Sequence, residues 1–235
     1  MQDGVRGGQA SGGLSFTIVP SGRAHVERLQ QIEVDAGELF RSIGLDVIAN
    51  DDPPSAETLL GYVTSHTAWV ALDCYGVAIG YATASVVDGE GHFDQVSVVR
   101  SAAGNRVGVA LIGAVCTWAA EQGLRSITLT TFRDVAWNGP YYRRNGFAEI
   151  AECECGPELS QILNNERLAG IAATPRVAMR RLLDSGDQPE RLSTMAASAT
   201  FKPPAPVCST TPTRRIPNDS HAGHDPSRET KVETS

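Results

Sequence analysis

The sequence has no long apolar run, no block of basic residues and no leader-like apolar segment, and each absence excludes a class of protein. Without about 18 consecutive apolar residues, the chain offers no membrane-spanning helix. A net charge of −7, with no cluster of Lys or Arg in the central part, argues against nucleic acid as the main partner. The N-terminus lacks the apolar core of a signal peptide, which indicates a cytoplasmic protein.

Cysteine is scarce and irregularly placed. The five cysteines are odd in number and scattered over predicted strands and a helix, so the sequence predicts reduced thiols rather than a disulfide framework. Cys153 and Cys155 are two residues apart, but no second pair of ligands accompanies them. We therefore predict no metal site.

Composition divides the chain into three parts. Residues 1–13 are rich in glycine and have no apolar pattern, which predicts a disordered N-terminal segment. Residues 184–235 hold seven of the 13 prolines and one aromatic residue, Phe201. Such a tail cannot bury enough apolar surface to offset the entropy of ordering, so it is also predicted to be disordered. Residues 14–183 are the expected single folded domain.

Alternating apolar residues and turn signals predict a mixed order of strands and helices within this domain. The predicted strands are 14–19, 68–73, 77–87, 93–99, 126–132, 147–155 and 176–183, the last as an edge strand. The predicted helices are 21–36, 55–65, 107–122, a short one from Pro140 to Gly146, and 158–170, whereas 37–54 is predicted to be an irregular loop. Together they indicate a mixed sheet with helices packed on it.

The segment from His92 to Gly123 is the most informative part of the sequence. It is a predicted strand, a short turn and a helix that opens on small residues, with Gly104 and Gly108 at its start. A helix start offers unpaired backbone N–H groups and the positive end of the helix dipole. Glycine lets a phosphate approach these groups, so the segment is a candidate anion cradle. An ordinary crossover from strand to helix explains this segment equally well.

Three motifs in this order resemble the GNAT N-acetyltransferase superfamily: VSVVRSAAGNRVGVALI, SITLTTFRDVAWN and YYRRNGF. The resemblance covers about 14–183. It implies an α/β fold of the α+β type, with a mixed, mostly antiparallel central sheet of about seven strands flanked by helices. It also implies acetyl-CoA as cosubstrate, held in a V-shaped gap between diverging fourth and fifth strands, and an amine as acceptor.

The resemblance assigns the cofactor to this strand and helix start. The backbone of Val96 and Val98 would pair with the pantetheine arm, and N–H groups between 104 and 109 would hold the pyrophosphate. The family motif Gln/Arg–x–x–Gly–x–Gly/Ala and its extension fall on Ala103, Gly104, Asn105, Arg106, Val107, Gly108 and Val109. Two residues depart from the motif. Ala103 stands at the first position, and Arg106 replaces the first glycine, where it would add a charge for a phosphate if its φ is negative.

The resemblance also implies the catalytic groups. Tyr142 matches the family's tyrosine that protonates the leaving thiolate, and packing of the short helix against the sheet is the alternative role. His92 and Asp94 share a face of the diverging strand and are the two candidates for the general base. Asn138 is expected to bind pantetheine or to cap the short helix, with capping favoured.

The acceptor is less well defined by the sequence. The segment where the family builds its acceptor site contains Glu38, Phe40, Asp46 and Asp51, and its acidity favours a cationic amine such as an aminoglycoside, a polyamine or a protein amino terminus. Glu33, on the first predicted helix, is a further carboxylate. A solvated helix face is its expected position, and reach into an acceptor pocket is the alternative. The resulting hypothesis is an N-acetyltransferase that works by direct attack of an amine on acetyl-CoA. The alternative is a CoA-binding regulatory or scaffolding module without catalysis. The sequence also leaves a homodimer open.

Overall fold

A seven-stranded sheet in the order β1-β2-β3-β4-β5-β7-β6 forms the centre of the computed structural model, which describes residues 14–168 and 174–183. The strands are β1 (Phe16–Pro20), β2 (Ala68–Asp73), β3 (Ala78–Val87), β4 (Glu90–Val98), β5 (Ser126–Phe132), β6 (Ala148–Ile150) and β7 (Arg176–Leu182). Only β4 and β5 run parallel, which confirms the mostly antiparallel sheet. The segments predicted to be disordered, 1–13 and 184–235, lie outside the described residues.

Helices cover both faces of this sheet. They are α1 (Val26–Arg41), α2 (Asp46–Ala49), α3 (Ala56–Thr64), α4 (Val107–Glu121), α5 (Gly139–Arg144) and α6 (Pro157–Leu168). On β3, Tyr81 bonds to Glu33 of α1, whereas the α-carbon of the preceding Gly80 faces Val107 of α4. Because successive strand residues point to opposite faces, α1 and α4 lie on opposite sides of the sheet. None of the described helices is long and apolar enough to cross a bilayer.

Helix α4 packs along the sheet through a continuous apolar stripe. Leu111, Val115 and Ala119 are fully buried and recur every four residues, as expected for one face of a helix. The helix ends before Gly123, whose φ of +74° is the left-handed conformation that glycine adopts without steric cost. Ser55 caps α3 by accepting a hydrogen bond from the Thr58 N–H at 3.1 Å. The predicted ends of both helices are confirmed to within about one residue.

The segment 37–54, predicted to be a loop, is largely helical. Helix α1 continues to Arg41, and α2 follows after a short turn. The Arg41 guanidinium donates hydrogen bonds to Glu38 and Asp46 and to the side-chain oxygen of Asn50, so one cation holds the end of α1 against α2. This arrangement depends on side chains that meet only in the folded chain, and the sequence pattern did not reveal it.

The C-terminal strands also differ from the prediction. β6 is only three residues long, because Glu152–Glu154 form a 3-10 turn in which the Glu154 carboxylate accepts a hydrogen bond from the Ala151 N–H. β7 was predicted to be an edge strand, but it lies between β5 and β6. Val177, Ala178 and Met179 are all buried, so both faces of β7 are covered, as in an interior strand.

Arg106 begins α4 in an unusual conformation. Its φ is +62°, in the left-handed region, although it is not glycine. The negative φ under which Arg106 would add a charge for a phosphate is therefore not adopted. Arg106 adopts the backbone conformation that favours the glycine of the family motif, at a steric cost of roughly 1–2 kcal/mol for a residue with a Cβ.

Candidate active site

Strands β4 and β5 separate part of the way along their length. They pair only over Gly91–Phe93 and Ile127–Leu129. Beyond this point β4 pairs only with β3, and β5 pairs only with β7. The facing backbone groups of the two strands thus have no ladder partner within the described residues. An extended chain can insert into this gap as an additional strand.

A β-bulge in β4 lies where the gap begins. Thr83 is opposite Gln95 and Ala84 is opposite Phe93, so Asp94 is an extra residue with no partner of its own on β3. The Ser85 hydroxyl, on the same side of β3 as Tyr81, donates to Asp94 at 3.1 Å. Gln95 donates to Glu33 of α1 at 2.6 Å. Both side chains therefore point to the α1 face, where regular alternation would have placed only one of them.

The start of α4 opens beside this gap. The first hydrogen bond within the helix is donated by the Ala110 N–H to the Arg106 carbonyl. The N–H groups of Val107, Gly108 and Val109 therefore have no acceptor within the helix. A Cβ on Gly108 would lie 2.6 Å from the Tyr141 hydroxyl oxygen, which explains why glycine stands there.

Ala103 and Asn105, two residues of the predicted anion cradle, have N–H groups that are already bonded within the turn. Ala103 and Asn105 donate their N–H groups to the carbonyls of Arg100 and Ala102. The Asn105 amide also donates to the carbonyls of Ala102 and Ala103. These bonds shape the turn before the helix. Among the predicted cradle residues, the N–H groups of 107–109 are therefore the best placed to face an anion, with Gly104 at a φ of +79° in the turn.

Tyr142 lies on α5, close to where the two strands part. Its ring packs edge-to-face against Tyr141 and Phe147, with centroids 5.5 and 5.7 Å apart, and Phe147 packs in turn on Phe93 of β4. Burial, with a further contribution from Tyr141, raises the pKa of Tyr142 above its ordinary value. The phenol therefore keeps its proton at neutral pH, as a proton donor must.

Asn138 and Trp137 carry buried polar atoms without partners. Asn138 occupies the N-cap position of α5, but its side chain makes no capping bond, so the favoured capping role was wrong. Its Oδ1 and the Nε1 of Trp137 are both buried and have no hydrogen-bond partner among the described residues. Buried polar atoms are rarely left unpaired, so a free acceptor and a free donor on consecutive residues are suited to an amide-containing ligand.

The two candidates for the general base occupy different places. His92 is 2% exposed and lies where β4 and β5 are still paired, with its Nδ1 2.9 Å from the Thr128 hydroxyl oxygen. Burial lowers the pKa of His92 to about 4. The imidazole is thus neutral and hydrogen-bonded to Thr128, in the part of the sheet where β4 and β5 are paired.

Asp94 stands at the gap itself. Burial raises the pKa of Asp94 to about 7, against the opposing effect of hydrogen bonds from Ser85 and Tyr62. Its Oδ2 is buried and has no hydrogen-bond partner of good geometry within the described residues. A carboxyl group that titrates near neutrality and has a free oxygen is suited to accept a proton from a bound ligand.

The charges of the predicted acceptor segment are largely compensated. Glu38 and Asp46 both pair with Arg41, at 3.0 and 3.2 Å. Phe40 packs edge-to-face on Phe132 and Trp137, with centroids 5.7 Å apart in each pair, so it supports the end of the gap. Burial, helped by Asp52, raises the pKa of Asp51.

Glu33 differs from the expected solvated position. It is half-buried and accepts hydrogen bonds from Tyr81, Gln95 and Ser97. Sequence analysis missed Tyr81 and Ser97 as parts of the site. Their polar side chains within predicted strands were the available signal, because a polar atom that a sheet buries needs a hydrogen-bond partner on a neighbouring element.

Strands β4 and β5 thus part beside a helix N-terminus, as the resemblance to the GNAT superfamily implies. Residues 38–147 match the model of the acetyltransferase (GNAT) family. This match bears out, over 38–147, the resemblance predicted from the motifs.

Solved structures of low sequence identity share this fold. A GNAT-family acetyltransferase from Staphylococcus aureus Mu50 is 16% identical with a TM-score of 0.56, over 72% of this chain and 100% of that one. Rv2747 from Mycobacterium tuberculosis, solved in complex with CoA, is 18% identical with a TM-score of 0.55, over 71% and 99%. The ribosomal-protein-S18-alanine N-acetyltransferase from Escherichia coli is 14% identical with a TM-score of 0.51, over 77% and 100%.

Asp94 and His92 should affect the pH dependence of stability in opposite directions. The pKa of Asp94 is raised from 3.8 to about 7, so the stability it contributes is present at acidic pH and is lost as the pH rises to 7. The pKa of His92 is lowered from 6.5 to about 4, so its contribution is present above pH 6.5 and is lost as the pH falls to 4. Between its two pKa values, each group changes the free energy of unfolding by about 1.4 kcal/mol per pH unit. The two changes have opposite signs and should cancel between about pH 4 and 6.5.

Urea unfolding across this pH range tests the cancellation. Asp94→Asn should leave a free energy of unfolding that rises with pH, and His92→Gln should leave one that falls. A pH profile of Asp94→Asn that matches the wild type would contradict the raised pKa of Asp94.

Proposed function

We propose that the protein is an acetyl-CoA-dependent N-acetyltransferase that acts by direct attack of an amine on the thioester. The observation that carries this proposal is the gap between β4 and β5, with free N–H groups of α4 at one side and the Asp94 carboxyl at the other. The gap offers unpaired strand edges to an extended ligand, and the helix start offers donors to an anion. CoA has both parts, and Rv2747, of similar fold, is a CoA complex.

In this proposal the residues present fit each part of the cosubstrate. The N–H groups of Val107, Gly108 and Val109 bind the pyrophosphate. The backbone of Val96 and Val98 pairs with the pantetheine arm and polarises the thioester carbonyl. The unpartnered Oδ1 of Asn138 accepts a hydrogen bond from a pantetheine amide.

The chemical step moves two protons. The nitrogen–carbon bond forms as the carbon–sulfur bond breaks, Asp94 accepts the proton of the attacking amine, and Tyr142 donates one to the leaving sulfur. Cys116 is buried within α4, and the other described cysteines lie outside the gap, so direct attack is favoured over an acyl-enzyme.

Gly108→Ala should weaken CoA binding, because the new Cβ would meet the Tyr141 hydroxyl and displace it or the start of α4. Isothermal titration should show a Kd for CoA raised by at least about tenfold. Gly113→Ala is the matched control on the same helix, since a Cβ there meets nothing within 4 Å. It should leave the Kd unchanged and stabilise the protein by about 1 kcal/mol. Equal affinities in all three proteins would place CoA away from this helix start.

Tyr142→Phe should lower kcat by about 10²- to 10⁴-fold while the Kd for CoA stays unchanged, because only the proton donor is removed. A thiol-reactive dye follows CoA release over a panel of amines. Tyr75→Phe is the control, since Tyr75 is 87% exposed. Undiminished turnover would remove Tyr142 from the mechanism. If CoA raises the Tm but no amine releases thiol, the protein is a CoA-binding regulatory or scaffolding module instead.

Asp94→Asn should lower kcat/KM by about 10²- to 10⁴-fold, because the amide cannot accept the proton of the amine. For the wild type, kcat/KM should rise with pH around a midpoint near 7, where Asp94 ionises. The midpoint should be absent in Asp94→Asn and retained in His92→Gln. The opposite assignment, with the midpoint lost only in His92→Gln, would make His92 the base.

A further inference from the structure

Glu33 is a half-buried carboxylate whose hydrogen-bond partners are all neutral. Its Oε2 accepts bonds from the Tyr81 and Ser97 hydroxyls, each at 2.7 Å, and its Oε1 accepts one from the Gln95 amide at 2.6 Å. A carboxylate offers about four acceptor positions. Three are filled, which leaves one position on Oε1.

Two other acidic residues of α1 have cationic partners, and Glu33 has none in the described part of the chain. On the same helix, Asp35 pairs with Arg100 and Glu38 pairs with Arg41, both at 3.0 Å. Residues 14–168 and 174–183 contain no lysine at all. Removal of a charge from water is costly unless the charge is paired. The open acceptor position on Oε1 is therefore available to a cation from outside the described chain.

The position of Glu33 relates this charge to the gap. Gln95, which binds Oε1, follows Asp94 directly in the β4 bulge, and both side chains point to the α1 face. Asp94 gives a second indication of an absent ligand. Ser85 and Tyr62 both interact with its carboxyl group, but its buried Oδ2 has no hydrogen-bond partner of good geometry within the described residues. Two carboxyl groups with unused acceptor positions thus border the same end of the gap.

We infer that Glu33 binds the ammonium form of the acceptor and restricts the substrates to amines that are cationic at neutral pH. This inference rests on the proposed acetyl transfer and names its substrate class. Glu33 holds the ammonium group beside Asp94. The ammonium releases its first proton to solvent, and Asp94 takes the second proton as the neutral nitrogen attacks. Aryl amines, which are neutral at this pH, gain nothing from Glu33.

Glu33→Gln removes the charge while keeping the size of the side chain. With benzylamine, spermidine and alaninamide as cationic probes, KM should rise at least about tenfold with kcat little changed, because a hydrogen bond to a charged group is lost. With aniline, the neutral probe, and for the Kd of CoA, no change is expected. Asp35→Asn is the matched control two residues along α1, and it should behave as the wild type does.

The outcomes separate this inference from the proposed function. If the wild type acetylates none of the probes, the proposed transfer fails, and titration of benzylamine and aniline into the CoA-bound protein still tests Glu33. Weaker binding of benzylamine alone in Glu33→Gln supports the inference, and equal binding overturns it. Parallel losses for aniline, benzylamine and CoA would show that Glu33 only ties α1 to β4.

A folding defect in Glu33→Gln would be visible as a lowered Tm. In that case Glu33→Asp, which keeps the charge on a shorter side chain, provides the test. It should keep the preference of the wild type for benzylamine over aniline, and loss of that preference with CoA binding intact would overturn the inference.

Discussion

The bulge at Asp94 is the local feature on which the site depends. One extra residue in β4 turns Asp94 and Gln95 to the same side of the sheet, just where β4 leaves β5. Glu33 of α1 then accepts hydrogen bonds from Gln95 and Ser97. The diverging half of β4 is therefore bound to β3 and to helix α1, and not to β5. The backbone groups of β4 that would pair with β5 in a continuous ladder stay available to a ligand.

Burial raises the pKa of both Asp94 and Tyr142, but the two shifts have different consequences near pH 7. It raises the pKa of Asp94 into the neutral range, where the group can both take and release a proton. It raises the pKa of Tyr142 away from that range, so the phenol remains protonated. The same physical effect, desolvation of the charged form, thus leaves the Asp94 carboxyl able to exchange a proton near pH 7 and keeps the Tyr142 phenol protonated. The roles proposed for the two groups depend on this difference.

The order of elements was predictable from the sequence wherever a local signal dominates. The apolar stripe of α4, the cap at Ser55 and the turn between β2 and β3 all act within a few residues, and the structure bears out each of them. The family motif also located the helix start, and the comparisons support the same fold.

The remaining features depend on contacts between distant segments. The helical end of α1 is held by Arg41, the interior position of β7 follows from the late return of the chain, and the β4 bulge is visible only as a register shift against β3. The contrast between His92 and Asp94 has the same origin. The two residues share a strand face, yet a shift of two positions moves a side chain from the paired sheet to the gap.

The absence of lysine from the described residues has a practical consequence. All side-chain ammonium groups of the sequence belong to Lys202 and Lys231, which lie in the C-terminal segment 184–235. Reagents that modify primary amines, including biotin and fluorophore esters, will therefore attach no label to a side chain of 14–168 or 174–183. Such reagents therefore leave the side chains of the sheet and its gap unmodified.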